Sequence, residues 1–237
     1  MNNSNVTLDP GLTGHAEIPQ GSGPFPGLVV LMEAYGITAH IRGVCARLAR
    51  AGFAAVAPDI FHGDVFGYTD MDKVPPKIRS LDDDTVMAEI GTTLDWLAAR
   101  QSGPQARLGI IGFCMGGRLA FLANCRHPDR LKVAVSFYGG GIAPEGADRF
   151  GRTPPIGAAA QMQAPLFLGY GADDHGISPD EHARIAQTLS AAKKRFTLAL
   201  YPGAGHGFLC EERVSFAPAV AEHAWRESIA FLQAHTR

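Results

Sequence analysis

Six short stretches of the chain are apolar almost throughout: "GLVVLME", "FAAVAPDI", "RLGIIGF", "LKVAVSFYG", "APLFLGYGA" and "RFTLALYPG". Runs of that length with no polar face suit strands covered on both sides, as in a parallel sheet. The segments between them change to a helical period. Ile41, Val44, Cys45, Leu48 and Ala49 share one face, and Gly52 is placed to end that helix. Val86, Ile90, Leu94 and Leu97 repeat the pattern behind an acidic first turn, and "PDEHARIAQTLSAA" and "FAPAVAEHAWRESIAFLQAH" add two further helices. Alternation of strand and helix predicts an α/β fold, with a mostly parallel central sheet flanked by helices on both faces. In such sheets the functional site lies beyond the carboxyl ends of the strands.

A chain of 237 residues can form one such domain, and residues 1–237 show no linker, repeat or low-complexity tract to divide it. With 21 basic and 23 acidic residues, the net charge of −2 offers no attraction for nucleic acid or an acidic membrane. No run is long enough for a transmembrane helix, and the start lacks the order of a secretory signal, so a cytoplasmic location is expected. The four cysteines Cys45, Cys114, Cys125 and Cys210 are then expected as free thiols. None forms a CxxC pair. His62 and Asp64 have no third ligand at a suitable spacing, so no metal is expected.

Cys114 stands where the third run gives way to a helical pattern, in Gly112-Phe113-Cys114-Met115-Gly116-Gly117. The spacing is that of the G-x-S-x-G nucleophile elbow with sulfur replacing oxygen. The helix is predicted to start just past Gly116 and Gly117. Its positive end would favour a thiolate, and the Met115 N–H could stabilise an oxyanion. A buried structural cysteine is the plain alternative. A dinucleotide loop is not, because Gly109, Gly112 and Gly116 are not spaced as GxGxxG and the next strand ends without an acid for a ribose. No cofactor is therefore expected. After the fifth run come Asp173 and Asp174, and after the sixth comes His206 between glycines. Nucleophile, acid, histidine is the chain order of α/β-hydrolases. His206 would move protons and the acid would hold its tautomer, with Asp174 preferred and Asp173 left open. A free thiol titrates at about 8.5, so something must lower that value or take the proton. Glu33, ending a very apolar run, would be costly to bury unpaired and should face the strand-end cleft or meet a cation.

Through "GLVVLMEAYGITAHIRGVCARLARAGFAAVAPDIF", "IGFCMGG", "GADDHGISP", "YPGAGHGF" and "HAWRESIAFL", the chain resembles the dienelactone hydrolases, or carboxymethylenebutenolidases, over nearly all its length after the first two dozen residues. The resemblance implies an α/β-hydrolase fold, Glu33 as a proton-accepting partner of Cys114, and Ala34 as donor of the second oxyanion N–H. It also implies arginines that hold a substrate carboxylate. One of them belongs four residues after the histidine, where this chain has Cys210. The nearest cation is Arg213, expected to pair with Glu211, Glu212 or solvent, and Arg79 is the candidate for the other. Tyr35, Phe113, Met115, Tyr138 and Phe208 are candidates to line an apolar pocket, and "PDIFHGDVFGYTDMDK" is a loop that could close over it. The resulting expectation is a monomer or homodimer that hydrolyses a small-molecule lactone or ester. The alternatives are a broader carboxylesterase or thioesterase, and a binding protein that kept the fold without catalysis.

Overall fold

In the computed structural model, which describes residues 4–70, 72–101 and 106–236, eight strands form one sheet. The strands are β1 (Asn5–Asp9), β2 (Leu12–Glu17), β3 (Gly27–Leu31), β4 (Ala54–Pro58), β5 (Leu108–Phe113), β6 (Val133–Phe137), β7 (Leu166–Gly171) and β8 (Phe196–Tyr201). Their spatial order is β1-β2-β4-β3-β5-β6-β7-β8. The six strands read from the sequence run parallel to one another, from β4 at one side to β8 at the other edge. β3, β5, β6 and β7 are buried at every position. Each buried Val, Leu or Ile side chain there stabilises the fold by about 1.5–3 kcal/mol.

The antiparallel hairpin β1–β2 was not legible in the hydrophobic pattern. β1 alternates exposed and half-buried residues, as an edge strand does, and carries no apolar run. The helices are α1 (Ala39–Arg50), α2 (Val74–Ser80), α3 (Asp83–Ala98), α4 (Met115–Arg126), α5 (Pro179–Ala191) and α6 (Pro218–His235). Short α2, missed because "VPP" reads as a breaker, is tolerated since its prolines occupy the first turn. Asp82 caps α3 by accepting from the Thr85 N–H at 2.8 Å, and Ser178 caps α5 by accepting from Glu181. Gly52, just beyond α1, adopts φ +96° and closes it as expected. One helical layer joins α1 to α6 through Arg47, which reaches Glu222 and lies over Trp225. In the other, α4 meets α3 through Arg118 and Asp83.

The first turn of α4 differs from the sequence expectation. The helix begins at Met115, directly after Cys114, so Gly116 and Gly117 lie inside it. A Cβ on Gly116 would collide with the Leu31 carbonyl of β3, and one on Gly112 with the Gly116 carbonyl. The glycines bring the helix start against the sheet rather than separating the two. Among the described residues no helix is long and apolar enough to cross a membrane.

Candidate active site

Five parallel strands deliver one side chain each to the same end of the sheet. Glu33 follows β3, Cys114 follows β5, Tyr138 follows β6, Asp174 follows β7 and His206 follows β8. Cys114 has φ 55° and ψ −117°, a strained conformation for a residue with a Cβ, and its N–H donates to the Phe137 carbonyl at 3.0 Å. The bend lifts its half-buried sulfur above the sheet.

His206 bridges the other two groups. Its Nε2 lies 3.0 Å from Cys114 Sγ and its Nδ1 2.7 Å from Asp174 Oδ2. The second oxygen of Asp174 accepts from the Gly176 N–H at 2.8 Å, and Ser215 Oγ donates to the His206 carbonyl at 2.6 Å. Asp173 is exposed, which decides between the two aspartates in favour of Asp174 as the partner of His206. Burial resists charge on all three groups, but their proximity wins. It raises the imidazole of His206 and lowers both the Cys114 thiol and the Asp174 carboxyl. The arrangement favours a thiolate–imidazolium pair backed by a carboxylate. Met115, the first residue of α4, has no place for its N–H in the helical ladder. Among the described residues the Ala34 N–H donates to no backbone carbonyl.

Glu33 is 1% exposed, and Arg213 Nη1 donates to its Oε1 at 3.2 Å. This corrects the expected pairing of Arg213 with Glu211, Glu212 or solvent. Gly207, at φ +78°, makes the correction possible, because a Cβ there would strike the Arg213 guanidinium. Burial pushes the Glu33 carboxyl up against the opposing pull of Arg213 and His206, so a single ion-pair contact does not fully offset desolvation. The Arg213 guanidinium also sits 5.8 Å from the centre of the Tyr35 ring.

The remaining candidates divide. Phe113, Tyr138 and Phe208 are wholly buried, so they back the site and do not line an open pocket. Phe113 stacks on Phe137, while Phe208 packs edge-on against Phe137 and Tyr138. Tyr138 stands at φ 38° with its ring edge-on to His206 at 5.3 Å, and its hydroxyl has no partner among the described residues. Tyr35 and Met115 retain small exposed areas. Arg79 is exposed on α2 with its guanidinium 5.9 Å from the centre of the Phe150 ring. His62 and Asp64 separate, His62 to Glu89 at 2.9 Å and Asp64 to Lys77 at 2.7 Å. The loop that carries them reaches the site through Tyr68, whose ring tilts against Tyr35 at 4.6 Å. The Cys210 thiol donates to the Tyr68 hydroxyl at 3.2 Å. Tyr68 and His40 were not singled out from the sequence. Neither carries a motif, and only folding brings them near Glu33 and Cys210. All four cysteines are free.

The profile of the Dienelactone hydrolase family matches residues 12–236. The chain belongs to the dienelactone hydrolase family. With membership comes hydrolase activity of the dienelactone hydrolase type. An Escherichia coli K12 relative, named "Putative carboxymethylenebutenolidase", is 33% identical over 220 residues, 91% of this chain and 79% of that one. A Bradyrhizobium relative, named "Probable 2-oxo-3-(5-oxofuran-2-ylidene)propanoate lactonase", is 30% identical over 96% of this chain and 93% of its own. The crystal structure titled "Putative Dienelactone Hydrolase" from Klebsiella pneumoniae superposes with a TM-score of 0.85 at 31% identity, covering 94% of this chain and 92% of that one. The fold is thus the α/β-hydrolase fold of the dienelactone hydrolases.

Proposed function

We propose that the protein is a cofactor-free cysteine hydrolase of a small lactone or ester, with Cys114 as nucleophile, His206 as general acid and base, and Asp174 as the group that orients His206. The observation that carries this reading is the His206 ring, held between Cys114 Sγ at 3.0 Å and Asp174 Oδ2 at 2.7 Å. Thiolate attack on the substrate carbonyl forms a C–S bond and an oxyanion, which the N–H groups of Met115 and Ala34 stabilise. Collapse breaks the ester C–O bond, and His206 hands its proton to the departing alkoxide. A thioester to Cys114 remains, with a ring-opened chain if the substrate is a lactone. Water then attacks the thioester as His206 takes its proton, and the thiolate leaves. In molecules whose Cys114 still carries its proton when substrate enters, Glu33, released by Arg213, is the second acceptor for that proton beside His206.

For the substrate, the lactonase name of the Bradyrhizobium relative denotes a compound with both a lactone ring and a carboxylate. Arg213 is the cation placed to meet such a carboxylate, provided that it releases Glu33. A broader esterase is favoured by one observation. Cys210 stands four residues after His206, and Arg213 is already engaged by Glu33, so a neutral ester meets no competing demand. Anionic and neutral lactones assayed in parallel separate the two. A preference for the anion that disappears in Arg213→Gln supports the first, and equal rates support the second. A thioester adduct of the substrate's mass on Cys114, trapped by rapid acid quench, tests the mechanism itself. If the adduct is absent in a burst-phase sample that turns substrate over, the cysteine reading fails.

A further inference from the structure

Glu33, His40 and Cys210 come from the end of β3, the first turn of α1 and the loop after β8. A carboxylate oxygen, a ring nitrogen and the sulfur of this trio all lie within 4.8 Å of one another. Spacing along the chain could not reveal such a set, because 170 positions separate His40 from Cys210. Their donor atoms are largely unspent. Among the described residues Glu33 Oε2 and His40 Nε2 are both buried with no hydrogen-bond partner, while Cys210 Sγ contacts the Tyr68 hydroxyl. Buried polar atoms without partners are uncommon and call for a reason.

The chemistry of the three atoms supplies one. Carboxylate, imidazole and thiolate together are the mixed ligand set that Zn²⁺ accepts, and three protein ligands leave a fourth position open. One carboxylate and one thiolate balance a dication once the Arg213 guanidinium withdraws from Glu33. Zinc bonds of about 2.0–2.3 Å in a tetrahedron separate the ligand atoms by roughly 3.3–3.8 Å, so side-chain rotation must draw the trio in by about an ångström. We propose that Glu33, His40 and Cys210 form a Zn²⁺ site, and that its occupation silences the enzyme. Binding forms a Cys210 S–Zn bond and releases the thiol proton to solvent. It also takes Glu33 from Arg213, whose guanidinium is repelled by the ion. The carboxylate that would accept a proton near Cys114 is then tied to metal. Binding stands apart from the catalytic reading, whereas silencing rests on it.

The test begins with the Cys114→Ser protein, which lacks the one other thiol at the strand ends. Calorimetric titration with Zn²⁺ is expected to show one equivalent bound, and Co²⁺ in its place to give the near-ultraviolet band of thiolate-to-cobalt charge transfer. Adding Cys210→Ser should remove that band and weaken Zn²⁺ binding at least tenfold. Adding His40→Gln instead should weaken binding similarly while the band persists, which guards against one substitution simply unfolding the site. No binding by the Cys114→Ser protein, or equal binding with and without Cys210, overturns the site. In the wild-type chain, Zn²⁺ should inhibit ester hydrolysis, a chelator should reverse it, and Cys210→Ser should demand at least tenfold more metal. Inhibition unmoved by Cys210→Ser would put the ion on Cys114 and His206 and overturn the silencing. A wild-type chain without hydrolase activity would defeat the catalytic reading and the silencing with it, and would leave the binding results standing.

Discussion

Two buried ion pairs in this molecule are built to opposite plans. Arg118 is 1% exposed and grips Asp83 with both terminal nitrogens, at 2.9 and 2.8 Å, while also donating to the Thr153 carbonyl at 2.9 Å. Asp148, 3.7 Å from the Arg118 Nε, is further bound by Arg152 and by two backbone N–H groups. That cluster ties α3, α4 and the 148–153 loop together behind the helix that Cys114 precedes. Glu33 and Arg213, by contrast, share one contact of 3.2 Å, and the second oxygen of Glu33 has no partner among the described residues. The first pair is held by many bonds and is therefore rigid, although Arg118 Nε and Arg152 Nη1 make no hydrogen bond among the described residues. The second is under-bonded, which leaves it free to exchange partners when an anion or a proton arrives.

Substitutions should separate the two plans. The largest effect is expected at the sulfur beside the second pair. Cys114→Ala should lower kcat/KM by about 10⁴-fold or more, with the urea midpoint little changed. A variant with near-normal turnover would remove the function assigned to the second pair. Next comes Arg118→Leu, which strands buried acid groups and should cost about 3–5 kcal/mol in equilibrium unfolding. A loss under 1 kcal/mol would show that the many-bonded cluster is not a structural fixture. Glu33→Gln should do the reverse, lowering kcat/KM by about 10²-fold, the lower end of the range for a proton acceptor, with stability altered by less than about 1 kcal/mol. If it unfolds the protein as readily as Arg118→Leu, the contrast collapses.

The smallest effect expected is on pH dependence. The Cys114 thiol is lowered and the His206 imidazole raised, so the thiolate–imidazolium pair should persist across neutral pH and give kcat/KM a broad plateau. Acid below the depressed thiol value should protonate sulfur, and alkali above the raised imidazole value should remove the proton needed by the leaving group. A rate that instead climbs steadily through pH 8–9, near the ordinary thiol value of about 8.5, would show that the pair is not pre-formed. Asp174, lowered in the folded state, should add stability that is present above its unfolded value and lost as pH falls through the folded one. Asp174→Asn should flatten that acid limb of the unfolding curve.

Much of the site was readable because its strictest demands are local. Gly112 and Gly116 are needed wherever a helix start crowds a strand end, and His206 follows the last apolar run as its histidine flanked by glycines. Arg213 was misread because its partner lies 180 positions away, past two nearer glutamates. Phe113 and Phe208 resemble pocket residues by neighbourhood, yet the sheet gives their rings to Phe137.

By itself, the order of apolar runs determined the six parallel strands. A strand covered on both faces needs continuous hydrophobic residues, and that demand is written locally. The same local logic determined the bend at Cys114 and the chain order of Cys114, Asp174 and His206, each just past a strand. Only the tertiary structure decided which cation Glu33 meets, that Asp174 and not Asp173 faces the imidazole, and that His40, Tyr68 and Cys210 gather beside them. Those outcomes depend on distances between residues remote in the chain, set by how helices and loops pack on the sheet. No periodicity along the sequence encodes such distances.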